Sequence, residues 1–191
     1  MKNKFIDFLL KRRSITAKKM RSSKIKKEDL ENILKSGIRV PDHGALSPWK
    51  LIVFKGEARK TFGEVLKNSF LKSNPSASSE EIAFEKNRFM RASVVICVLS
   101  CPVKHKSIPV WEMQLSSAAV CMNLLTSAQS MGYAAQWITE WYAYDKDVLN
   151  ALGINDSSQK VSGFIYVGEK INDPFERVRP NMSNVTSFWK N

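Results

Sequence analysis

The stretch PVWEMQLSSAAVCMNLLTSAQSMG, residues 109–132, is the longest periodic segment of the chain and constrains how the rest can fold. Proline favours the first turn of a helix and glycine favours its end, so Pro109 and Gly132 predict the limits of one long helix. Apolar side chains lie on nearly all of its sides rather than along one stripe. We therefore expect a helix that is buried nearly all round, with a second subunit covering one of its faces.

Shorter patterns on both sides of this helix predict the remaining elements. Apolar residues at helical spacing predict further helices, and β-branched or alternating runs predict strands. We expect one α+β domain over residues 1–191, in which helices flank a mixed central sheet of about four or five strands. Residues 169–191 have no sustained period but carry aromatic side chains, so we expect an extended tail that packs on the partner subunit. The predicted helices are residues 3–12, 27–36, 58–72, 78–90 and 145–152, and the predicted strands are residues 49–56, 92–100, 133–139 and 160–168.

The composition is that of a soluble globular protein, with 43% hydrophobic and 25% charged residues. Asp7 interrupts the first apolar run, which argues against a secretory leader, and no segment is apolar enough to span a membrane. The three cysteines lie in apolar runs, as expected of reduced thiols in a cytoplasmic protein. Cys97, Cys101 and His105 are spaced by four residues, but no fourth ligand lies nearby in the sequence, so we expect no metal site.

The net charge of +12 is concentrated near the N-terminus, where residues 1–35 contain twelve lysines and arginines but only four acidic residues. Such a segment attracts an anionic ligand or partner, or it forms a solvated surface. A nucleic-acid-binding domain is one alternative. Because the aromatic residues Trp137, Trp141 and Tyr142 do not interleave with the basic ones, nucleic acid is not the expected partner.

Two short motifs are candidates for chemistry. Arg12, Arg13 and Ser14 supply two guanidinium groups and a hydroxyl, which can hold a phosphate through charge-assisted hydrogen bonds. Cations at a helix end can instead bind its last carbonyl groups. The stretch RVPDHGALSPW, residues 39–49, is stiffened by two prolines and cannot form a regular element.

With only two histidines and no P-loop, dinucleotide motif or nucleophile elbow, a cofactor that brings its own chemistry is favoured.

These motifs, followed by WE at residues 111–112 and AQSMGYAAQWIT at residues 128–139, resemble the flavin-dependent nitroreductase family, in particular its small stand-alone NAD(P)H nitroreductases. The resemblance covers residues 5–168. It implies an interlocked homodimer with FMN at the subunit interface and NADH or NADPH as co-substrate. It also implies that hydride passes through the flavin to a nitroaromatic, a quinone or a similar acceptor, with no side chain as catalytic nucleophile.

The resemblance further implies which residues contact the cofactors. Arg12, Arg13 and Ser14 are expected at the flavin, with Arg12 and Ser14 at its ribityl-phosphate end. Arg39 and His43 are expected to reach the flavin from the neighbouring subunit. The other expected contacts are Trp137, Ile138 and Thr139 along the flavin, and Ser127, Ala128, Gln129, Ser130, Met131 and Gly132 near the nicotinamide cofactor.

Two departures from the family pattern generate further expectations. Many relatives have another arginine after Arg-Arg-Ser, whereas this chain has Ile-Thr-Ala at residues 15–17, so Arg177 and Arg179 are candidates to complete the phosphate site. Glycines common in relatives are replaced by Ala134 and Ala135, whose methyl groups could narrow the approach to the flavin or alter nicotinamide binding. A flavin-binding protein without reductase turnover is therefore an alternative.

Overall fold

The computed structural model describes residues 3–190 and contains a helix or strand at every predicted position. Lys2 of the basic segment and both ends of the predicted domain lie outside the described residues. One strand, β1 (Met20–Arg21), was not predicted, because two residues are too few to form a period. The helices are α1 (Lys4–Lys11), α2 (Lys27–Gly37), α3 (Glu57–Ser73), α4 (Ser79–Lys86), α5 (Val110–Ser130) and α6 (Lys146–Ala151), and the other strands are β2 (Trp49–Lys55), β3 (Val94–Ser100), β4 (Ala134–Ile138) and β5 (Lys160–Lys170).

The strands form one five-stranded sheet in which β3 lies between β2 and β5. β4 also pairs with β5, and β1 extends the pairing at the end of β5. These four pairings are all antiparallel. We expected a mixed sheet, and the described sheet differs from that expectation. The connections explain the antiparallel pairing. Two helices, α3 and α4, reverse the chain between β2 and β3. The strand that follows α5 is β4, and it pairs with β5 rather than with β3. The α+β class is confirmed.

The sheet separates two hydrophobic cores. Every residue of β3 is buried, and alternate side chains such as Val95 and Ile96 enter opposite cores, which confirms the predicted central strand. On one face, Val120 and Leu124 of α5 pack against the sheet. On the other face, aromatic rings surround Phe89. The rings of this cluster belong to Phe54, Phe62, Phe89, Tyr142, Phe164 and Tyr166.

α5 has a buried side and an exposed side. Val120 and Leu124 are fully buried, whereas Trp111 is 65% exposed, and Leu115 and Met122 are also exposed. Within one chain the helix is therefore not buried all round. Hydrophobic residues on all sides of a helix do not indicate which molecule buries each side, and our expectation that a second subunit covers one face of α5 stays a prediction.

Further apolar side chains are exposed at the two ends of the chain. No residue of α1 is buried, and its Phe5 and Leu10 point into solvent. β5 continues two residues beyond its predicted end, and the tail from residue 171 onward carries the exposed rings of Phe175 and Phe188. The chain thus exposes apolar side chains on α1, on one side of α5 and along the tail.

Trp137 of β4 lies across Gly163 of β5. A Cβ atom on Gly163 would be 2.0 Å from the indole Nε1 atom of Trp137, so only glycine permits this approach. The same Nε1–H donates to the backbone carbonyl of Ser162 at 3.0 Å. The indole of a predicted flavin contact is therefore fixed in place by the neighbouring strand.

Gly163→Ala is expected to lower the free energy of unfolding by about 1–3 kcal/mol, because the added methyl group must displace the Trp137 indole. Urea denaturation followed by circular dichroism measures the loss. The control is the same substitution in a Trp137→Ala background, where the methyl group has room and its cost should fall by more than half. An equal cost in both backgrounds would show that the indole does not restrict this position.

Candidate functional site

Arg12 lies where α1 ends and the chain becomes extended. Two hydrogen bonds fasten the following segment to β4. The Ile15 backbone N–H donates to the carbonyl of Ala135 at 3.1 Å, and the Ala17 N–H donates to Oε1 of Gln136 at 2.5 Å. The motif of two arginines and a serine, residues 12–14, is therefore held close to β4, and we call this segment the arginine strap.

The Arg12 guanidinium has neutral partners but no carboxylate. Its Nε–H donates to Oε1 of Gln129 at 2.8 Å, and its Nη2 lies 3.4 Å from the Ser14 hydroxyl. Within residues 3–190, no acidic side chain forms an ion pair with it at 4.0 Å or less. Partial burial lowers the pKa of Arg12, and the nearby charges of Arg179 and Arg13 lower it further. An anion bound here would relieve this unfavourable concentration of positive charge.

A cavity of about 570 Å³ opens beside Arg12 and is strongly cationic. Glu176 in the wall of this cavity interacts with two arginines. One of its carboxylate oxygens accepts a hydrogen bond from Arg179 at 3.0 Å, and the same oxygen lies 3.6 Å from Nε of Arg13. Ser14 and Gln136 add neutral polar groups to the wall. The structure thus brings both C-terminal candidates to the predicted phosphate motif. The cations that line the cavity are Arg12, Arg13, Lys19, Arg177 and Arg179.

The loop of residues 39–49 is held by hydrogen bonds within the loop and by side chains of α5. The Asp42 carboxylate accepts hydrogen bonds from two backbone N–H groups of the loop, at 3.2 and 2.8 Å. Asn123 of α5 donates to the Arg39 carbonyl at 2.8 Å, and Glu112 of α5 lies 2.7 Å from Nδ1 of His43. The side chains of Arg39 and His43 are exposed and do not line the Arg12 cavity of their own chain. Their predicted contact with the flavin of a neighbouring subunit stays a prediction.

The predicted flavin segment 137–139 ends β4 and leads into a strained residue. Glu140 has φ 52° and ψ 178°, a backbone conformation that side chains other than glycine rarely adopt. Its carboxylate pairs with Arg88, a buried arginine that also pairs with the buried Glu85. The Trp141 indole donates to the same Glu85 at 2.7 Å. This network holds the backbone directly after Thr139.

Sequence reasoning missed this network. Glu85 and Arg88 are three residues apart in a helical region, where such pairs are usually exposed. Glu140 follows a strand 52 residues later, and nothing in the local pattern marks its backbone conformation or its partner.

The stretch 127–132 forms the last turn of α5 and the glycine that follows it. Ala128 is fully buried, and the Ser127 hydroxyl accepts a hydrogen bond from Ser36 at 2.7 Å. Gln129 points toward the arginine strap. Gln129 and Gly132 both line a second cavity of about 410 Å³, which Arg12 and Arg13 also line. Ser130 and Met131 are exposed. A contact between this stretch and a nicotinamide cofactor stays a prediction.

A protein-family model described as the nitroreductase family matches residues 9–169 of the chain. The chain belongs to the nitroreductase family. Over 166 residues it is 31% identical to "Putative NAD(P)H nitroreductase YdjA" of Escherichia coli (strain K12), a match that covers 85% of this chain and 86% of that protein.

Solved structures agree on the fold. A nitroreductase-like family protein from Bacillus cereus superposes with a TM-score of 0.85 at 18% identity, covering 100% of this chain and 98% of that one. A nitroreductase with bound FMN from Bacteroides fragilis NCTC 9343 superposes with a TM-score of 0.71, also at 18% identity, covering 99% of this chain and 100% of that one. The resemblance inferred from the motifs and the expected nitroreductase-like fold are both confirmed.

The two alanines that depart from the family pattern lie in the interior of this nitroreductase-family chain. The methyl groups of Ala134 and Ala135, which we expected to narrow the approach to the flavin, are buried in the two hydrophobic cores on opposite faces of β4. They lie there because successive side chains of a strand point to opposite faces of the sheet. The methyl groups therefore fill the protein interior.

The cysteines of this nitroreductase-family chain are placed as apolar core residues. Cys97 and Cys121 are buried, and burial raises the pKa of the Cys121 thiol to about 12. Among residues 3–190, no group of three or more histidine, cysteine, aspartate or glutamate side chains is arranged to hold a metal ion. No helix in the same range is both long and apolar enough to cross a membrane.

Arg88→Met is expected to lower the free energy of unfolding by about 3–5 kcal/mol, because the substitution leaves Glu85 and Glu140 without their buried cation. The deficit should shrink as the pH falls toward 5. A buried carboxylate without a cation is most costly at high pH, where it must carry its charge, and protonation at lower pH relieves that cost. Urea titrations at several pH values measure both effects.

Arg91→Met is the matched control. Arg91 lies over the ring of Phe84, as Arg88 does, but within residues 3–190 it forms no ion pair with a carboxylate. Its replacement should cost much less than that of Arg88 and should show little dependence on pH. Equal losses in the two variants would contradict the role given to the buried ion pairs.

Proposed function

We propose that this nitroreductase-family protein binds FMN with the phosphate group in the Arg12 cavity and acts as an NAD(P)H-dependent oxidoreductase. The observation that carries the proposal is an arginine that is partly buried, beside two other arginines, with no acidic partner in the described part of the chain. Burying an uncompensated charge is costly, so such a cluster favours the binding of an anionic ligand that compensates it.

The residues of the cavity fit a flavin phosphate. A volume of about 570 Å³ falls within the range of about 300–1,000 Å³ typical of small-molecule sites. Five cations against the single carboxylate of Glu176 suit a dianion, and arginine forks bind phosphate oxygens in pairs. Ser14 contributes a hydroxyl donor. Arg12 and Ser14 would hold the phosphate, with Arg177 and Arg179 completing its shell of charge.

The remaining residues of the chain would position the ring system and exclude water. When bound, a flavin supplies hydride transfer between a nicotinamide cofactor and an acceptor such as a nitroaromatic or a quinone. We assign Trp137, Ile138 and Thr139 to one edge of the ring, where the Glu140–Arg88 pair keeps their backbone rigid. The FMN bound to the Bacteroides fragilis nitroreductase and the name of the Escherichia coli relative support FMN and NAD(P)H as the cofactors of this proposal.

A second copy of the chain would complete each site. The exposed residues Trp111, Leu115 and Met122 of α5 lie along one side of the helix, and α1 and the tail expose further apolar side chains. Covering such a surface in a homodimer removes it from water. In this proposal Arg39 and His43 reach the flavin of the partner, and the tail from residue 171 onward packs on the partner subunit.

The first test of the function is an absorbance spectrum of the purified protein after saturation with FMN and desalting. We expect flavin bands at about one FMN per chain, anaerobic bleaching by NADH or NADPH, and elution as a dimer. Bound flavin that neither nucleotide reduces would support the alternative of a flavin-binding protein without turnover. A colourless protein that retains no FMN would overturn the proposal.

Arg12→Ala is expected to weaken FMN binding by about 1.5–3 kcal/mol, or about ten- to 150-fold, since it removes hydrogen bonds from a charged donor to the phosphate. Fluorescence titration measures the dissociation constant, and riboflavin, which has the same ring but no phosphate, should bind both proteins alike. Arg21→Ala is the matched control, because Arg21 is an exposed arginine paired with Glu169 outside the cavity. An unchanged FMN affinity in Arg12→Ala would remove Arg12 from the site.

A further inference from the structure

The side-chain amide of Gln129 joins three segments of the chain at the candidate phosphate site. Its Oε1 accepts the hydrogen bond from Nε of Arg12 at 2.8 Å. Its Nε2 donates to the carbonyl of Arg13 at 2.9 Å and to the carbonyl of Ala135 at 3.3 Å. Gln129 stands in the last turn of α5, so its amide ties that helix to the arginine strap and to β4 at once.

These bonds determine which part of Arg12 is available. A guanidinium group has five N–H donors in a planar fork. Gln129 occupies the Nε–H donor, which points back along the side chain, and leaves the Nη groups at the end of the fork. Those groups point toward the Ser14 hydroxyl, at 3.4 Å from Nη2, on the wall of the cationic cavity. The amide thus fixes the direction of the fork without using its bidentate end.

The Gln129 amide that binds Arg12 is also neutral, and this neutrality matters as much as the direction of the hydrogen bond. A glutamate at this position would neutralise Arg12 and compete with a bound anion, as paired carboxylates do elsewhere. An amide orients the guanidinium and preserves its full charge. Because both hydrogens of Nε2 are directed at backbone carbonyls, the Gln129 side chain is also committed to the interior of this chain.

We propose that Gln129 is the positioning residue of the anion site: it holds the Arg12 fork toward a phosphate group, and it does not contact the nicotinamide cofactor. The identity of the anion as the phosphate of FMN rests on the proposed function. The orientation of Arg12 rests only on the hydrogen bonds within the chain.

The test compares Gln129→Met, which keeps the length of the side chain and removes its amide, with Gln129→Glu, which keeps the shape and adds a charge. FMN and riboflavin are the probes. We expect Gln129→Met to weaken FMN binding at least about fivefold and Gln129→Glu to weaken it more, while riboflavin affinity stays within about twofold. A merely structural role would weaken the binding of FMN and of riboflavin together, because it would not act through the phosphate group.

Gln114→Met is the matched control, since it makes the same change on the same helix about 22 Å away at 1.5 Å per residue. It should leave FMN affinity unchanged. Urea midpoints establish that all variants are folded before binding is compared. Steady-state kinetics then separate the two roles of Gln129, because a positioning residue for phosphate leaves the KM for NADH or NADPH unchanged once the protein is saturated with FMN.

The outcomes distinguish this inference from the proposed function. Unchanged FMN affinity in both Gln129 variants, or a raised KM for the nicotinamide cofactor at full FMN occupancy, would overturn the inference. If the wild-type protein binds neither flavin, the proposed function fails, and inorganic phosphate becomes the probe. Thermal stabilisation by phosphate that is lost in Gln129→Met would then support the positioning role, whereas equal stabilisation, or none in the wild type, would overturn it.

Discussion

The packing of α5 against the sheet is the interaction on which the rest of the structure depends. One side of this helix is buried in the hydrophobic core, and its 21 residues span about 30 Å at 1.5 Å per residue. Side chains along its length hold the segments that carry predicted site residues: Glu112 contacts His43, Asn123 binds a carbonyl of the same loop, and Gln129 binds Arg12. Because the helix is fixed by burial, it acts as a rigid frame for loops that have little regular structure of their own.

Two arginines show how the same side chain serves two purposes. Arg88 is buried between the carboxylates of Glu85 and Glu140, so its charge is compensated within the chain and its effect is to keep one backbone segment rigid. Arg12 is partly buried with only an amide and a hydroxyl as partners, and neighbouring cations lower its pKa. The difference lies in the partners, and it separates an arginine that holds the fold from one that is suited to hold a ligand.

Much of the fold could be predicted because the signals are local. The continuous apolar run of β3 predicted a central strand, and Gly132 predicted the end of α5, as the structure confirms. The candidate site was predictable only where residue types are distinctive, as in the motif of residues 12–14. The burial of each side of α5 could not be predicted from the sequence, because an apolar side chain does not indicate whether its own chain or another molecule covers it.

The sequence by itself determined the type and approximate limits of the helices and strands, the cationic character of the N-terminal segment and the family motifs, since each depends on neighbouring residues. Only the tertiary structure decided that the strands pair antiparallel and that Arg179 lies in the same cavity as Arg12. It also decided that Gln129 orients Arg12 across 117 positions of the chain. Such contacts have no sequence period, because they follow from how the sheet and α5 bring distant segments together.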